Sequence, residues 1–407
     1  MLHHKCDILF AGAGLSGLSL AVELAANPAF AEQKIVLIDR STKTQNDRTW
    51  CFWANAEQQA SLPPVVYHRW DNIQFYSPSH SKLLQTNGYQ YLMVRGIDFY
   101  SWAKKELQKN PNITFVQGAI ERMDSQQGIV QTATDTYEAK WVFNSALVPF
   151  QLMPALEKDH FATPFSFLNL QPIKGFIYLL QHFKGWIIRT PKPCFDPNTA
   201  TFMDFRVPQE KDTRFVYVLP FSETEALVEF TVFSPELLSD EAYIAALKQY
   251  IEVFLKIDDY DIVQEEFGVI PMTDFPFSAG PYGREIRIGT AGGFVKPSSG
   301  YAFKRTQRRI KAFAQDWANT GQPNPSLLRS GKKFRIYDSV FLRALDDGLI
   351  PAHQIFGDFF KNLEGSAVFK FLDEDSSFLE DIRAMNAMPT LPFARAALRQ
   401  RSRLPHV

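Results

Sequence analysis

Apolar residues fall into three patterns along this chain, and each predicts a different kind of layer. Near the N terminus they form unbroken runs at 6–12 (CDILFAG) and 34–40 (KIVLIDR), separated by helical spacing at 16–27. Unbroken β-branched runs suit strands buried on both faces, so the opening reads as strand, helix, parallel strand. Through the middle of the chain, at 176–190, 214–221 and 226–233, long apolar runs alternate with polar turns. Residues 213–234 therefore predict an antiparallel hairpin with its turn at 222–225. Strands are also expected at 72–77, 112–120 and 141–146, with a helix at 99–110. From about 316 onwards the spacing becomes amphipathic and helical, and no internal repeat interrupts it.

The junction between the first strand and the first helix carries Gly12, Gly14 and Gly17 at G-x-G-x-x-G spacing, and the second strand ends at Asp39. Gly12 permits a tight turn, Gly14 lets backbone N–H groups approach a pyrophosphate, and Gly17 lets the helix lie close on the strand. The helix N-terminus adds partial positive charge. Asp39, about 20 residues further on, is placed to accept from a ribose 2′-hydroxyl, which disfavours a 2′-phosphate. A Gly-rich turn with no ligand is the plain alternative. A single N-terminal unit of this kind, with no second copy in the chain, points to FAD. Residues 285–314 read as a strand, a turn with Gly289, Gly292 and Gly293, a loop with Pro297 and Gly300, and a basic helix. That is a second place to hold phosphate or flavin.

The expected fold class is therefore α/β. A Rossmann-like FAD-binding domain begins at 1–150, and an antiparallel β-sheet substrate domain is inserted at 151–270. A segment at 271–315 returns to close the FAD site, and 316–407 is helical.

Composition narrows the function. Lys and Arg total 43 against 44 Asp and Glu, a balance that argues against nucleic acid as a partner. Cys6, Cys51 and Cys194 lie far apart, with neither metal-ligand spacing nor a disulfide framework, so no metal is expected and a reducing compartment is. No run approaches the ~20 apolar residues of a membrane span, and the N terminus enters a strand directly, without the pattern of a signal peptide. The chain carries 36 Phe beside 14 Tyr and 7 Trp. So much Phe suits either a Phe-rich core or a large apolar pocket or membrane-facing patch.

Several short segments resemble the flavin-dependent lycopene cyclases of bacterial type. They are DRTWCFW (47–53), QHFKGWIIRT (181–190), FMDFR (202–206), ALVEFTVFS (226–234), GTAGGFVKPSSGY (289–301) and FKFLDEDSSFLEDI (369–382), in the family's order and across nearly the whole chain. The resemblance implies a fold of the flavin monooxygenase type with FAD working in its reduced form and NAD(P)H as reductant. It implies a redox-neutral, proton-catalysed ring closure at the ends of a linear carotene, lycopene, giving β-type rings as in γ- and β-carotene. The competing function is an FAD-dependent monooxygenase of the same fold acting on an apolar isoprenoid or aromatic substrate.

The residues supply matching chemistry. Glu229 is the only charge between Ala226 and Ser234, and alternation sets it on one face with Leu227, Thr231 and Phe233. Desolvation there favours the neutral carboxyl, and a neutral carboxyl donates a proton. In the resembling family the essential acid occupies this position. An exposed or Arg-paired edge glutamate is the ordinary alternative. The next position, where bacterial members commonly carry a second acid, is Phe230. Asp204 or Asp196 would then be the second acid, with an Asp204–Arg206 pair as the structural reading; strand alternation would set Phe202, Asp204 and Arg206 on one face. Asp47 and Arg48 either hold the flavin or begin a helix. A carbocation needs a dry site lined with π faces, for which Trp50, Phe52, Trp53, Phe183, Trp186, Phe202 and Phe205 are candidates.

A carotene substrate lives in the bilayer, so peripheral contact with the inner face of the cytoplasmic membrane is expected, with no protein partner. Residues 339–365 and the basic tail with Arg399, Arg401 and Arg403 are the candidate contact.

Overall fold

A computed structural model describes residues 2–145 and 175–400. Its first sheet grows from the predicted strand–helix–strand unit. Leu2–Ala11 pairs in parallel with Ile35–Asp39 on one side and with Asp135–Asn144 on the other. Ile113–Gln117 adds a further parallel strand beyond Ile35–Asp39. The antiparallel strands Ile129–Thr132 and Ile120–Asp124 extend the opposite edge. Glu285–Arg287, from much later in the chain, pairs in parallel with Val142–Asn144. The helix Leu15–Ala25 packs on the helix Phe303–Thr320, and Leu18, Leu24, Ile310, Phe313 and Trp317 bury the seam. A small three-stranded sheet, Thr49–Ala54, Gln90–Arg95 and His68–Trp70, lies beside it.

The second large sheet runs Asp261–Thr273, Tyr178–Arg189, Glu225–Ser234, Thr213–Pro220, Thr199–Asp204, Asn72–Tyr76, Ser81–Leu83. Its hairpin closes as the pattern predicts, with the Phe221 N–H donating to the Glu225 carbonyl at 2.8 Å. Two of its strands come from a stretch assigned by sequence to the nucleotide unit. Ile73 and Phe75 alternate inward and find complete burial only in the core under this second sheet, which draws Asn72–Tyr76 alongside Thr199–Asp204.

The two faces of this sheet carry different cores. Val228, Phe230 and Val232 pack against Tyr243, Leu247 and Tyr250, from the helix Asp240–Gln249 and the turn after it. Leu227 and Phe233 face the other way, into a core with Phe202, Phe215, Phe356, Phe359 and Phe360. Burying each such ring removes it from water at a gain of about 1.5–3 kcal/mol. Much of the phenylalanine excess is spent here, in the layer between the sheet and the C-terminal helices.

Those helices cover the inner face. The segment 339–365, expected to touch a membrane, is instead largely core: Leu342, Phe356, Phe359 and Phe360 are buried. Its apolar face meets the apolar face of the sheet, and that is the larger gain. Buried ion pairs fasten the region down. Lys296 lies 2.8 Å from Asp338, and Arg305 lies 2.6 Å from Glu374. Arg399 pairs with Asp347, while Arg401 and Arg403 fall outside the described residues. Among the described residues no helix is long and apolar enough to cross a membrane.

Candidate active site

Three cavities follow one another along the inner face of the second sheet. The first, about 320 Å³, is lined by Gly14, Leu15, Ser16, Arg48, Gly289 and Thr290, among others. The second, about 100 Å³, contains Glu229 together with Cys51, Tyr91, Phe183, Leu227 and Tyr301. The third, about 420 Å³, is walled by Phe202, Phe233, Phe341, Phe356, Phe359 and Phe360 among others. Thr49, Trp50, Phe183, Ile270, Gly300 and Ala302 line both the first and the second. Tyr217, Ser299 and Tyr301 line both the second and the third. Glu229 therefore sits in a small chamber between a polar cleft and an apolar one.

The first cavity fits an anionic, nucleotide-bearing cofactor. Gly12 takes φ +102°, the turn the chain needs to leave the strand. A Cβ at Gly17 would stand 2.3 Å from the Gly12 carbonyl oxygen, so only glycine lets this helix lie against this turn. No side chain caps the helix Leu15–Ala25 and its first turn holds no acid, which leaves its amides to a ligand. Gly14 faces open space, with nothing within 4 Å of the place a Cβ would occupy. Lys43 and Arg48 add positive charge to the wall.

Not every glycine and acid expected there reaches it. Asp39 braces the loop: its carboxylate accepts from the Ala13 and Ser41 N–H groups, each at 2.8 Å, and it does not line the cavity. Gly289 is on the wall, but Gly292 and Gly293 are not. The short 3₁₀ turn Gly289–Gly292 ends with Gly293 at φ +73°, which carries the last two glycines towards Phe277 and a separate small cavity. Arg48 precedes a strand, Thr49–Ala54, so the helix-start alternative for Asp47 and Arg48 does not hold.

Glu229 lies where alternation sets it. It stands opposite Tyr217 on one neighbouring strand and opposite Gly185 on the other. The Thr231 hydroxyl donates to its Oε1 at 3.2 Å. Burial pushes the Glu229 carboxyl well above the usual glutamate range, and the adjacent Glu266 carboxyl pushes in the same direction. The same two carboxyls, after burial, raise the Cys51 thiol. Burial likewise holds the phenols of Tyr91, Tyr217 and Tyr301 neutral.

Asp204 is elsewhere. A one-residue bulge, with Met203 at φ +59°, interrupts alternation between Thr201 and Asp204. Phe202 stays on the inner face while Asp204 turns to the outer one. There it accepts from the Tyr250 hydroxyl at 2.8 Å and pairs with Arg206 at 2.5 Å. The bulge, not the composition of the strand, is what separates Asp204 from Glu229. Asp196 is spent on the Thr199 hydroxyl and the Asn198 N–H. Of the aromatic candidates, Trp50 and Phe183 line the chamber and Phe202 the apolar cavity. Phe52, Trp53 and Phe205 are core, and Trp186 packs on the outer face.

Sequence reading missed Glu266. The signal was available: Glu265 and Glu266 are adjacent in a strand, and alternation must turn one of them inward. Glu265 pairs with Lys184 at 3.5 Å, and Glu266 faces the first cavity.

Residues 7–398 match the family model described as lycopene cyclase protein. The lycopene beta-cyclase of Paracoccus sp. is 24% identical over 96% of both chains. Among solved structures, a geranylgeranyl bacteriochlorophyll reductase-like protein from Thermoplasma acidophilum superposes with a TM-score of 0.58 at 13% identity, covering 99% of this chain and 98% of that one. A flavin-dependent brominase superposes with a TM-score of 0.53 at 11% identity, covering 98% and 99%. These two likenesses establish the fold, and the family match spans both sheets and the helices over them. The chain belongs to the lycopene cyclase family.

Proposed function

We propose that this protein closes the linear ends of lycopene into β-type rings, with Glu229 as the acid that starts each closure. One observation carries the reading. A buried carboxyl, held neutral by its surroundings, lines a chamber between a cleft suited to a nucleotide cofactor and a Phe-walled cavity suited to a polyene end. Glu229 gives its proton to the terminal trisubstituted double bond. The tertiary cation that results is attacked by the neighbouring double bond, the ring forms, and one proton leaves it. Protons balance and no electrons are transferred.

Water must be kept from that cation, or an alcohol results. Phe183, Leu219, Leu227, Ile270 and Phe303 make most of the chamber wall apolar. The rings of Trp50, Tyr217 and Tyr301 offer π faces, each attracting a cation by roughly 0.5–2 kcal/mol. FAD is the cofactor we assign to the first cavity, held through Gly14, Ser16, Arg48, Gly289 and the amides of the first helical turn. Bound there and reduced by NAD(P)H, it would supply negative charge that favours the cation without net oxidation. Asp204 takes no part in this reading.

The substrate enters from lipid. Met385, Phe393 and Ala397, on the last two helices Phe378–Asn386 and Thr390–Gln400, and Met388 between them line the apolar cavity. The same helices expose Phe378, Leu379, Leu391 and Leu398. An apolar surface on helices that wall an apolar cavity suits peripheral contact with the inner membrane face.

Expression in a lycopene-accumulating host tests the function. The parent chain yields bicyclic carotene, and Glu229→Gln leaves lycopene unreacted. Turnover that needs oxygen and consumes NAD(P)H in step with product would replace this reading with a monooxygenase. Normal cyclisation by the Gln variant would remove Glu229 from the mechanism.

A further inference from the structure

Glu229 does not stand alone. Gly185, in the central strand Tyr178–Arg189, has Glu229 directly opposite on one side and Glu266 directly opposite on the other. Residues opposite one another across a ladder point to the same face, so both glutamates rise on the inner side of the sheet. Between them the missing side chain of Gly185 leaves a gap, and Glu266 fills it. A Cβ at Gly185 would lie 3.0 Å from the Glu266 Cγ and 3.3 Å from its Oε1. The Glu266 carboxyl, seated over the glycine, adds to burial in pushing the Glu229 carboxyl up.

The partners of Glu266 are unevenly shared. Its Oε2 accepts from the Thr49 hydroxyl at 2.7 Å. Its Oε1 is buried with no donor. A buried carboxylate oxygen without a donor is costly, and a proton on Glu229 would satisfy it. Among the described residues no ion pair reaches either glutamate. Lys184, next to Gly185, points to the outer face, where it pairs with Asp240 and Glu265.

We propose that Glu229 and Glu266 hold a single proton between them, and that Glu266 is the positioning residue that makes Glu229 both the acid and the group that recovers the proton. This rests on the proposed cyclisation and names the partner of its acid. At rest Glu229 carries the proton and donates it to Glu266 Oε1. Giving it to the alkene leaves two carboxylates in contact, a state that like-charge repulsion makes strongly basic. The proton lost by the new ring then returns to the pair. One proton leaves and one is recovered, with no other reactant.

Other titratable groups face the pair. Cys51 comes from Thr49–Ala54, Tyr91 from Gln90–Arg95, and Tyr217 from Thr213–Pro220; Tyr301 comes from the loop before the helix Phe303–Thr320. Lys43, Asp47, Arg48 and Tyr100 line the cleft that Glu266 also lines. The thiol and the phenols there are raised by burial and stay neutral across the range of interest.

The test is the pH profile of cyclisation by flavin-loaded protein in lycopene-containing liposomes. Glu266→Gln removes the like charge while keeping the shape. Its alkaline limb is expected at least about one pH unit below that of the parent. Glu266→Asp, which keeps the charge one methylene further back, is expected in between. A Gln profile that overlays the parent's overturns the dyad while leaving Glu229 as the acid. Absence of cyclisation by the parent itself would instead overturn the function. If Glu266→Gln fails to fold, as judged by flavin content and Tm, Glu266→Asp decides: an unshifted limb overturns the proposal.

Discussion

Tyr217 stands directly across the antiparallel ladder from Glu229, and it also lines both the Glu229 chamber and the Phe-walled cavity. Opposed side chains on one face of a sheet sit about 4.5–5.5 Å apart at Cβ. The phenol ring is thus part of the partition between the two cavities, which a polyene end would pass in the proposed reaction. Phe202 packs edge-on to it, with ring centroids 5.6 Å apart at 72°.

If the ring rather than the hydroxyl matters, Tyr217→Phe keeps turnover within about threefold of the parent. Tyr217→Leu removes the π face, and a loss of about tenfold, equivalent to about 1.4 kcal/mol, is expected. Initial rates of ring formation in liposomes check both. A larger loss for Phe than for Leu would assign the role to the hydroxyl.

The protonated Glu229 should also leave a mark on stability. Its folded-state pKa is raised above the ordinary 4.5, so the native state holds a proton that the unfolded chain has released. Between those two values the unfolded state binds fewer protons, and stability falls as pH rises. Glu229→Gln removes this dependence. Tm measured from pH 5 to 8 is expected to fall less steeply for the variant than for the parent. Parallel curves would mean the carboxyl titrates normally.

At the mouth of the first helix, Gly17→Ala would force a methyl to within 2.3 Å of the Gly12 carbonyl oxygen. Relief requires the helix to move off the strand, at a cost of about 1–3 kcal/mol. The displaced amides no longer converge on the cleft. Flavin absorbance of the purified variant should fall with its denaturation midpoint.

For Asp204 the expectation is reversed. Asp204→Asn weakens the ion pair between the fully buried Asp204 and the more exposed Arg206, and the bond from Tyr250, on the face away from the chamber. A loss of about 1.5–3 kcal/mol in stability is expected, with kcat of the folded fraction unchanged. Loss of kcat with stability intact would return Asp204 to the reaction.

The proposed membrane contact rests on the last two helices. Replacing Phe378 and Leu379 together by Ser should move the protein from the floating to the sedimenting fraction with anionic liposomes, leaving flavin binding unchanged. Flotation unaltered by the pair would place the contact elsewhere.

The glycine turn at the first cleft and the face of Glu229 were legible in the sequence because both rest on local periodicity. A strand, a turn with glycines and a helix lie in one short segment, and strand alternation alone assigns Glu229 its face. Where local rules failed, a non-local or irregular feature was responsible. The bulge at Met203 reversed Asp204, the 3₁₀ turn carried Gly292 and Gly293 away, and the strand Asn72–Tyr76 left its sequence neighbours for a distant sheet.

Sequence by itself determined the nucleotide fold, the hairpin and the buried acid, since each is written in contacts between residues near one another in the chain. Only the tertiary structure decided which carboxyl meets that acid. Glu229 and Glu266 come from strands that never pair with each other, and the strand between them offers no side chain at Gly185 to keep them apart. Which strands become neighbours depends on how whole apolar faces are buried together, and no local window of the chain contains that information.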